Sequence, residues 1–230
     1  GRRVAIARAA EGDAEPSRPL CCGRTFLGAG LVDEAKGEAR RMVDALSPHV
    51  AKGAAIVGLE PSCLLSLRDE FLAMGFGDAA ARLADRAMLV EEFLAREHAA
   101  GRLRLPLGSI PQSRALVHGH CHQKAFDALS PTVAMLKLVP GLAVDVVESS
   151  CCGMAGSFGF EAEHHELSMR MAELSLLPAV RGADADTLIV ADGTSCRHQI
   201  ADGTRTGGAG REAVHAIRVL ASALPTAPAR

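Results

Sequence analysis

Residues 148–160 read ESSCCGMAGSFGF, in which Cys151 and Cys152 stand directly before Gly153. Adjacent Cα atoms lie about 3.8 Å apart, closer than the spacing an ordinary disulfide prefers. A vicinal pair therefore suits metal ligation better than a structural bridge. The stretch has a partner, PLCCGRTFLGAGLVDEA at 19–35, with Cys21, Cys22 and Gly23 in the same order. A helical pattern follows each pair, LVDEAKGEARRMVDAL at 31–46 and EHHELSMRMAELSLLPAV at 163–180. A short apolar strand comes next, AAIVGLE at 54–60 and TLIVADG at 187–193. Each strand runs into a cysteine, as IVGLEPSC at 56–63 and IVADGTSC at 189–196. The step from Cys22 to Cys63 is 41 positions and that from Cys152 to Cys196 is 44. Pair, strand and closing cysteine in the same order twice mark an internal duplication.

Strands that alternate with helices imply an α/β fold of two pseudo-repeated βαβ-type halves with mainly parallel sheets. The CCG loops would then lie at the carboxyl ends of strands, where such sheets collect ligands. The expected division is 1–100 for a first CCG half and 101–230 for a second that ends in a helix at 210–224, with PTAPAR as a frayed end. The second half has one further element, RALVHGHCHQKAF at 114–126, a strand running to Cys121, 30 positions before Cys151. The equivalent in the first half would fall upstream of residue 1, so the repeat predicts a preceding strand and an N-terminally incomplete first half. Between the halves, AARLADRAMLVEEFLAREHAAG at 80–101 reads as one amphipathic helix ending at Gly101. RLRLPLGSIPQSR follows as a proline-containing connector.

Seven cysteines, at 21, 22, 63, 121, 151, 152 and 196, make an odd number in a chain with no secretory signal. That points away from a disulfide framework and toward metal, cluster or redox chemistry. A formal net charge of −2 without runs of one sign gives no footprint for nucleic acid. Trp and Tyr are absent, and no apolar run reaches membrane-spanning length. The location these features suggest is cytoplasmic, with peripheral attachment at the inner membrane as the alternative.

Clusters of iron and sulfide are held by thiolates converging from separate loops. Cys121, Cys151, Cys152 and Cys196 each follow a different strand or loop. Ser62 and Ser195 are candidate N-caps that would place Cys63 and Cys196 at first helical positions, where a thiolate is favoured. Gly153, Gly156 and Gly159 clear side chains from around the pair, so that backbone N–H groups can approach sulfur. HGHCH at 118–122 allows a zinc reading, since in an extended segment His118, His120 and His122 share the face opposite Cys121, but no C-x₂-C accompanies it and a cluster-side or hydrogen-bonding role for these histidines is the main expectation. His164 and His165 open a helix, Met169 and Met171 suit helix packing, and His49, His98 and His215 read as ordinary helix or loop residues. Glu60 and Asp192 hold equivalent places before the closing cysteines, either to tune the site or to satisfy turn amides.

RPLCCGRTFLGAGLVDEA, GLEPSCLLSLRDEF, HGHCHQKA, SSCCGMAGSFGFE and GTSCRHQI together resemble the CCG cysteine-rich domain family. That domain occurs in heterodisulfide reductases and in the iron–sulfur subunits of glycolate oxidase and anaerobic glycerol-3-phosphate dehydrogenase. The stretches are most similar to the C-terminal region of fused FAD-linked dehydrogenases of D-2-hydroxyacids, of the D-lactate and D-2-hydroxyglutarate type. The resemblance implies an iron–sulfur module passing electrons from reduced FAD, on another domain or subunit, to a quinone or protein acceptor. It implies cluster ligation by Cys121, Cys151, Cys152 and Cys196, with Gly153, His122 and His198 in secondary roles. Cys21, Cys22 and Cys63 would form a second, degenerate site. Heterodisulfide reductase relatives close each motif with Cys-x-x-Cys and hold an unusual cluster. Here CRHQ places Gln199 at the second cysteine, so four thiolates remain and an ordinary [4Fe–4S] cluster is the expectation. A zinc-stabilised binding module and a thiol switch at Cys151–Cys152 are the alternatives from other classes.

Overall fold

The computed structural model describes residues 3–149, 151–205 and 210–225. The chain forms two compact units, Gly1–Leu89 and Val90–Arg230. The first contains α1 (Arg24–Gly28), α2 (Val32–Ala51), β1 (Ile56–Gly58), α3 (Pro61–Leu65), α4 (Glu70–Ala73), α5 (Asp78–Ala84) and β2 (Ala87–Leu89). The two strands pair in parallel, Ile56 opposite Ala87 and Gly58 opposite Leu89. Helix α2 buries Ala35, Ala39, Val43, Leu46 and Val50, the i, i+4, i+7 stripe its sequence pattern calls for.

The helix expected over 80–101 is three elements. Helix α5 ends at Ala84, β2 pairs with β1, and α6 (Val90–Ala99) begins the second unit. Ala87 and Leu89 are both buried, so these residues gain more from the sheet than from one continuous amphipathic face. The boundary between the units falls within this segment rather than at its terminal glycine.

The second unit continues with β3 (Arg114–His118), α7 (Cys121–Ala125), α8 (Leu129–Leu136), β4 (Ala143–Val146), α9 (His165–Ala172) and α10 (Leu176–Gly182). It ends with β5 (Leu188–Ala191), α11 (Thr194–Arg205), β6 (Ala213–Val214) and α12 (Ala216–Ser222). Its sheet has the order β4-β3-β5-β6, with every neighbouring pair parallel. Alternate residues feed two cores, as the two-residue strand period requires. Ala115, Val117 and Val190 meet Met135 and Leu136 of α8 and Val219 and Leu220 of α12. Leu116, Ile189 and Ala191 face Leu176 and Val180 of α10 and Ile200 of α11. Helices therefore cover both faces, the α/β architecture the alternation predicts.

Two more helices differ from expectation. The stretch 163–180 is split into α9 and α10, because Pro178 lacks an N–H and its ring would strike the Leu174 carbonyl in a continuous helix. The expected helix at 210–224 begins only at Ala216, since Ala213 and Val214 pair with β5.

The duplicated motif is visible in three dimensions. Gly23 and Gly153 both have positive φ, +74° and +93°. Each donates its N–H to the first cysteine of its pair, Gly23 to Cys21 Sγ at 3.4 Å and Gly153 to Cys151 Sγ at 3.2 Å. Each also lies against a carbonyl of a helix further along its half: a Cβ would stand 2.6 Å from Ala35 O of α2 at Gly23 and 2.1 Å from Ser168 O of α9 at Gly153. Only glycine satisfies both the dihedral and the approach. Gly153→Ala is expected to cost ~3 kcal/mol through left-handed strain and overlap. Gly37→Ala, in open space on α2, should instead stabilise by about 1 kcal/mol. Urea denaturation of the two variants checks the opposite signs.

Candidate functional site

The chain steps from β3 outward to β4, then back across to β5, so the strand order reverses between β3 and β5. Such a reversal opens a crevice at the strands' carboxyl ends. Cys121, first residue of α7, follows β3; Cys151 and Cys152 follow β4; Cys196, third residue of α11, follows β5. Their thiols form a continuous series. Cys121 contacts Cys151, Cys151 contacts Cys152, Cys152 contacts Cys196, and Cys196 contacts His118. Cys152 and Cys196 are buried, Cys151 is half-buried and Cys121 is exposed.

Crowding divides the thiols into donors and acceptors. Hydrogen bonds from Cys121 and Cys152 hold Cys151 well below the usual thiol range, and backbone N–H groups of Gly153 and Ala155 add to this. Cys121 and Cys152 are raised by the same contacts and then by burial. Cys196 is lowered by its bond with Cys152 and, against burial, by His118. The loop that supplies these N–H groups is tightly wound, with positive φ at Gly153, Ala155 and Gly156.

Cys63 and Cys196 do not occupy first helical positions. Glu60 is the N-cap of α3 and Pro61 opens it, so Cys63 is third; Thr194 opens α11, so Cys196 is also third. Ser62 Oγ donates to Glu60 Oε1 at 2.9 Å instead of capping. Within the first unit Cys22 is buried and Cys63 exposed, and their thiols touch as those of Cys152 and Cys196 do. The Cys63 bond lowers Cys22 to about 6 against burial. Cys63 is correspondingly raised, first by that bond and then by burial.

The histidines fall out differently from the sequence expectation. The chain is not extended through 118–122: Gly119 ends the strand and His120 caps α7, its Nδ1 accepting from His122 N at 3.1 Å. His120 stacks on His122 at 5.1 Å, and donor atoms of His120, Cys121 and His122 come within 4.8 Å of one another, on one side rather than opposite faces. The His120 Nδ1 lone pair is taken by the cap. His118 is 2% exposed and one of its ring nitrogens lies within 4.8 Å of the Cys152 and Cys196 sulfurs. Its Nδ1 is 2.9 Å from Ser149 Oγ, and its Nε2 has no hydrogen-bond partner among the described residues. His198 is exposed on α11 and packs edge-to-face against Phe160. His164 stacks on Phe158 and pairs with Glu161.

Gln199 is buried one turn from Cys196, and its amide donates to Ser168 O at 3.0 Å and Ser168 Oγ at 2.9 Å. It locks α11 to the helix that follows the CCG loop.

A buried strap ties the strand ends together. Gln123 accepts from His120 N at 2.9 Å and donates to Asp192 Oδ2 at 2.8 Å; Thr132 Oγ1 donates to the same oxygen at 3.3 Å, and Asp192 Oδ1 accepts from Ala216 N at 2.9 Å. Asp192 is thus far more embedded than its counterpart Glu60. His215, far from an ordinary loop residue, caps α12 with Nδ1 accepting from Ile217 N at 3.1 Å, and lies 3.3 Å from Asp192 and 3.6 Å from Glu91. These three residues lie close enough to hold a cation. The His215 Nδ1 lone pair and both Asp192 oxygens, however, already take N–H or O–H donors, which makes the group an anchor. His118 takes the site-side, hydrogen-bonding place that the sequence allowed for the histidines of 118–122, whereas the roles of Gln123 and His215 are invisible in the sequence because only the folded sheet brings them beside the strand ends.

These features define the second unit as a parallel α/β cysteine-rich domain with its thiols gathered at a strand-order reversal. Residues 115–201 match the CCG family of cysteine-rich domains, and this part of the chain belongs to it. The chain is 30% identical over 209 residues to a subunit of the anaerobic glycerol-3-phosphate dehydrogenase of Escherichia coli (strain K12), covering 90% of this chain and 50% of that protein. It is 29% identical over 173 residues to D-2-hydroxyglutarate dehydrogenase of the same strain, covering 74% of this chain and 16% of that enzyme. It is 25% identical over 217 residues to lactate utilization protein A 2 of Bacillus cereus (strain Q1), covering 91% of this chain and 85% of that protein. The chain therefore spans half the length of the first of these relatives and much less of the second. No solved structure matches it. Among the described residues no helix is long and apolar enough to cross a membrane.

Burial, then the charge of Asp192, pushes the Glu91 carboxyl from 4.5 up to about 8, with Glu92 adding to the effect. The unfolded chain ionises Glu91 near 4.5 while the folded chain keeps it neutral, so this group's contribution to stability is lost as pH rises from about 4.5 to about 8. Glu91→Gln imitates the neutral acid. Denaturation at pH 5 and pH 8 should show the variant gaining on wild type at the higher pH; a constant difference would mean that Glu91 titrates normally.

Proposed function

We propose that this chain is the iron–sulfur electron-transfer module of a flavin-linked 2-hydroxyacid dehydrogenase. The observation that carries the reading is the convergence of Cys121, Cys151, Cys152 and Cys196 from three strand ends on one crevice. The donor set fits such a group: four thiols in a continuous series, backbone N–H groups of Gly153 and Ala155 directed at sulfur, and a buried imidazole beside two of the thiols. A bound [4Fe–4S] cluster supplies one-electron transfer.

This chain's residues do the holding. Cys121, Cys151, Cys152 and Cys196 are the ligands. Gly153 turns the loop so that its N–H meets Cys151, His118 lines the buried side, and His122 and His198 play secondary roles. Cys21, Cys22 and Cys63 form a degenerate second copy with three thiols. Substrate is oxidised at FAD on another domain or subunit, and the electrons pass to a quinone or protein acceptor. Relatives named for D-2-hydroxyglutarate and lactate support the hydroxyacid class. Glycerol 3-phosphate, in the name of the relative with 30% identity, is the second reading of substrate.

Anaerobic reconstitution followed by iron and sulfide analysis and EPR tests the reading. About four iron atoms per chain are expected. Cys152→Ala or Cys196→Ala should abolish the signal, and Cys22→Ala should leave most of it. Protein that takes up no iron under these conditions sinks the cluster. Zinc in its place would indicate a binding module, and a metal-free protein with a reversible Cys151–Cys152 disulfide a thiol switch.

A further inference from the structure

Lys124 lies on the short helix that Cys121 opens. Its side chain turns back toward the thiols and is held there. The Nζ donates to the backbone carbonyl of Ser149 and lies 3.4 Å from Ser149 Oγ. Ser149 also meets His118 Nδ1 at 2.9 Å, so one residue joins the ammonium to the imidazole beside Cys152 and Cys196. Gly119 leaves room for the lysine stem: a Cβ there would come 3.1 Å from Lys124 Cε. The ammonium is half-buried, and burial favours its neutral form. Cys196, Cys121, Cys151 and Cys152 all act electrostatically in the opposite sense. The charge of Lys124 is therefore favoured by all four thiols.

Resting on the cluster reading above, we propose that Lys124, anchored on Ser149, compensates the negative charge of the thiolate site and so raises the potential at which it accepts an electron. Four thiolates make the occupied site anionic, and reduction adds a further negative charge. A fixed positive charge in a partly desolvated position stabilises the reduced form more than the oxidised form. Lys124 is a positioning charge: it is anchored on Ser149, and its effect is read in the potential.

The test is an EPR-monitored redox titration of the anaerobically reconstituted whole chain as wild type, Lys124→Gln and Lys124→Arg. Lys124→Gln should bind the same iron with a midpoint shifted to lower potential, and Lys124→Arg should restore the wild-type midpoint. A fully loaded Lys124→Gln protein with the wild-type midpoint overturns the inference. If Lys124→Gln loads poorly, the cluster-free protein gives a second measurement. Alkylation by anionic iodoacetate relative to neutral iodoacetamide should fall several-fold at Cys121 and Cys151 in Lys124→Gln and be retained in Lys124→Arg. An unchanged ratio overturns the inference in the same way. Failure of wild type itself to take up iron would count against the cluster reading, and the alkylation ratio would still report on Lys124.

Discussion

Strand β3 lies between β4 and β5, parallel to both, so three strands release the chain at the same edge of one sheet. Antiparallel pairing on either side would send one of the loops to the opposite edge and part the cysteines. Parallel pairing in turn needs crossover helices, and these cover both sheet faces. The cores are thus a by-product of the arrangement that gathers the thiols. Cys152, Cys196 and Met154 belong to one of those cores, so the site is continuous with the packing that stabilises the domain.

Holding unpaired polar groups at the edge of an apolar core requires that the surrounding hydrogen bonds be satisfied. The strap from His120 through Gln123 and Asp192 to Ala216 does this for three strand ends at once. It joins the turn carrying Cys121 to the strand preceding Cys196. The Cys151–Cys152 loop is fixed from the other side, where Gly153 packs on Ser168 and Gln199 bonds the same serine. Sulfur positions are therefore set from two sides, by the Gln123–Asp192 strap and by the packing of Gly153, Ser168 and Gln199.

Much of this is legible in the chain because duplication amplifies it. One Cys-Cys-Gly is a weak signal, whereas two followed by matched strands and closing cysteines give order, strand positions and the grouping of Cys63 with the first pair and of Cys196 with the second. The glycine in each copy has a reason that only coordinates reveal, the helix carbonyl lying where a side chain would stand. What stays hidden is set by contacts distant in sequence. Ala87–Leu89 and Ala213–Val214 are too short to show a period, and their strand character comes wholly from the partners β1 and β5. His118 and His120 share a face only on a straight strand, and the turn at Gly119 rotates them onto new ones. His215 looks ordinary along the chain because neither Glu91 nor Asp192 is near it in sequence.

Gln199 stands where the motif this stretch resembles would carry a further cysteine, and its amide is committed elsewhere. A thiolate at that position would have to reach the crevice; an amide instead satisfies the Ser168 carbonyl and hydroxyl, which are buried with it. Replacing it with cysteine would leave those acceptors without their donor, a loss of about 1–3 kcal/mol for a buried group, before any sulfur found a cluster to bind. The remaining four thiols carry less negative charge than five would. A single half-buried ammonium, Lys124, is then a larger fraction of the charge to be balanced. On the cluster reading proposed above, that makes Lys124 a stronger influence on the site's potential than the same charge would be beside five thiolates.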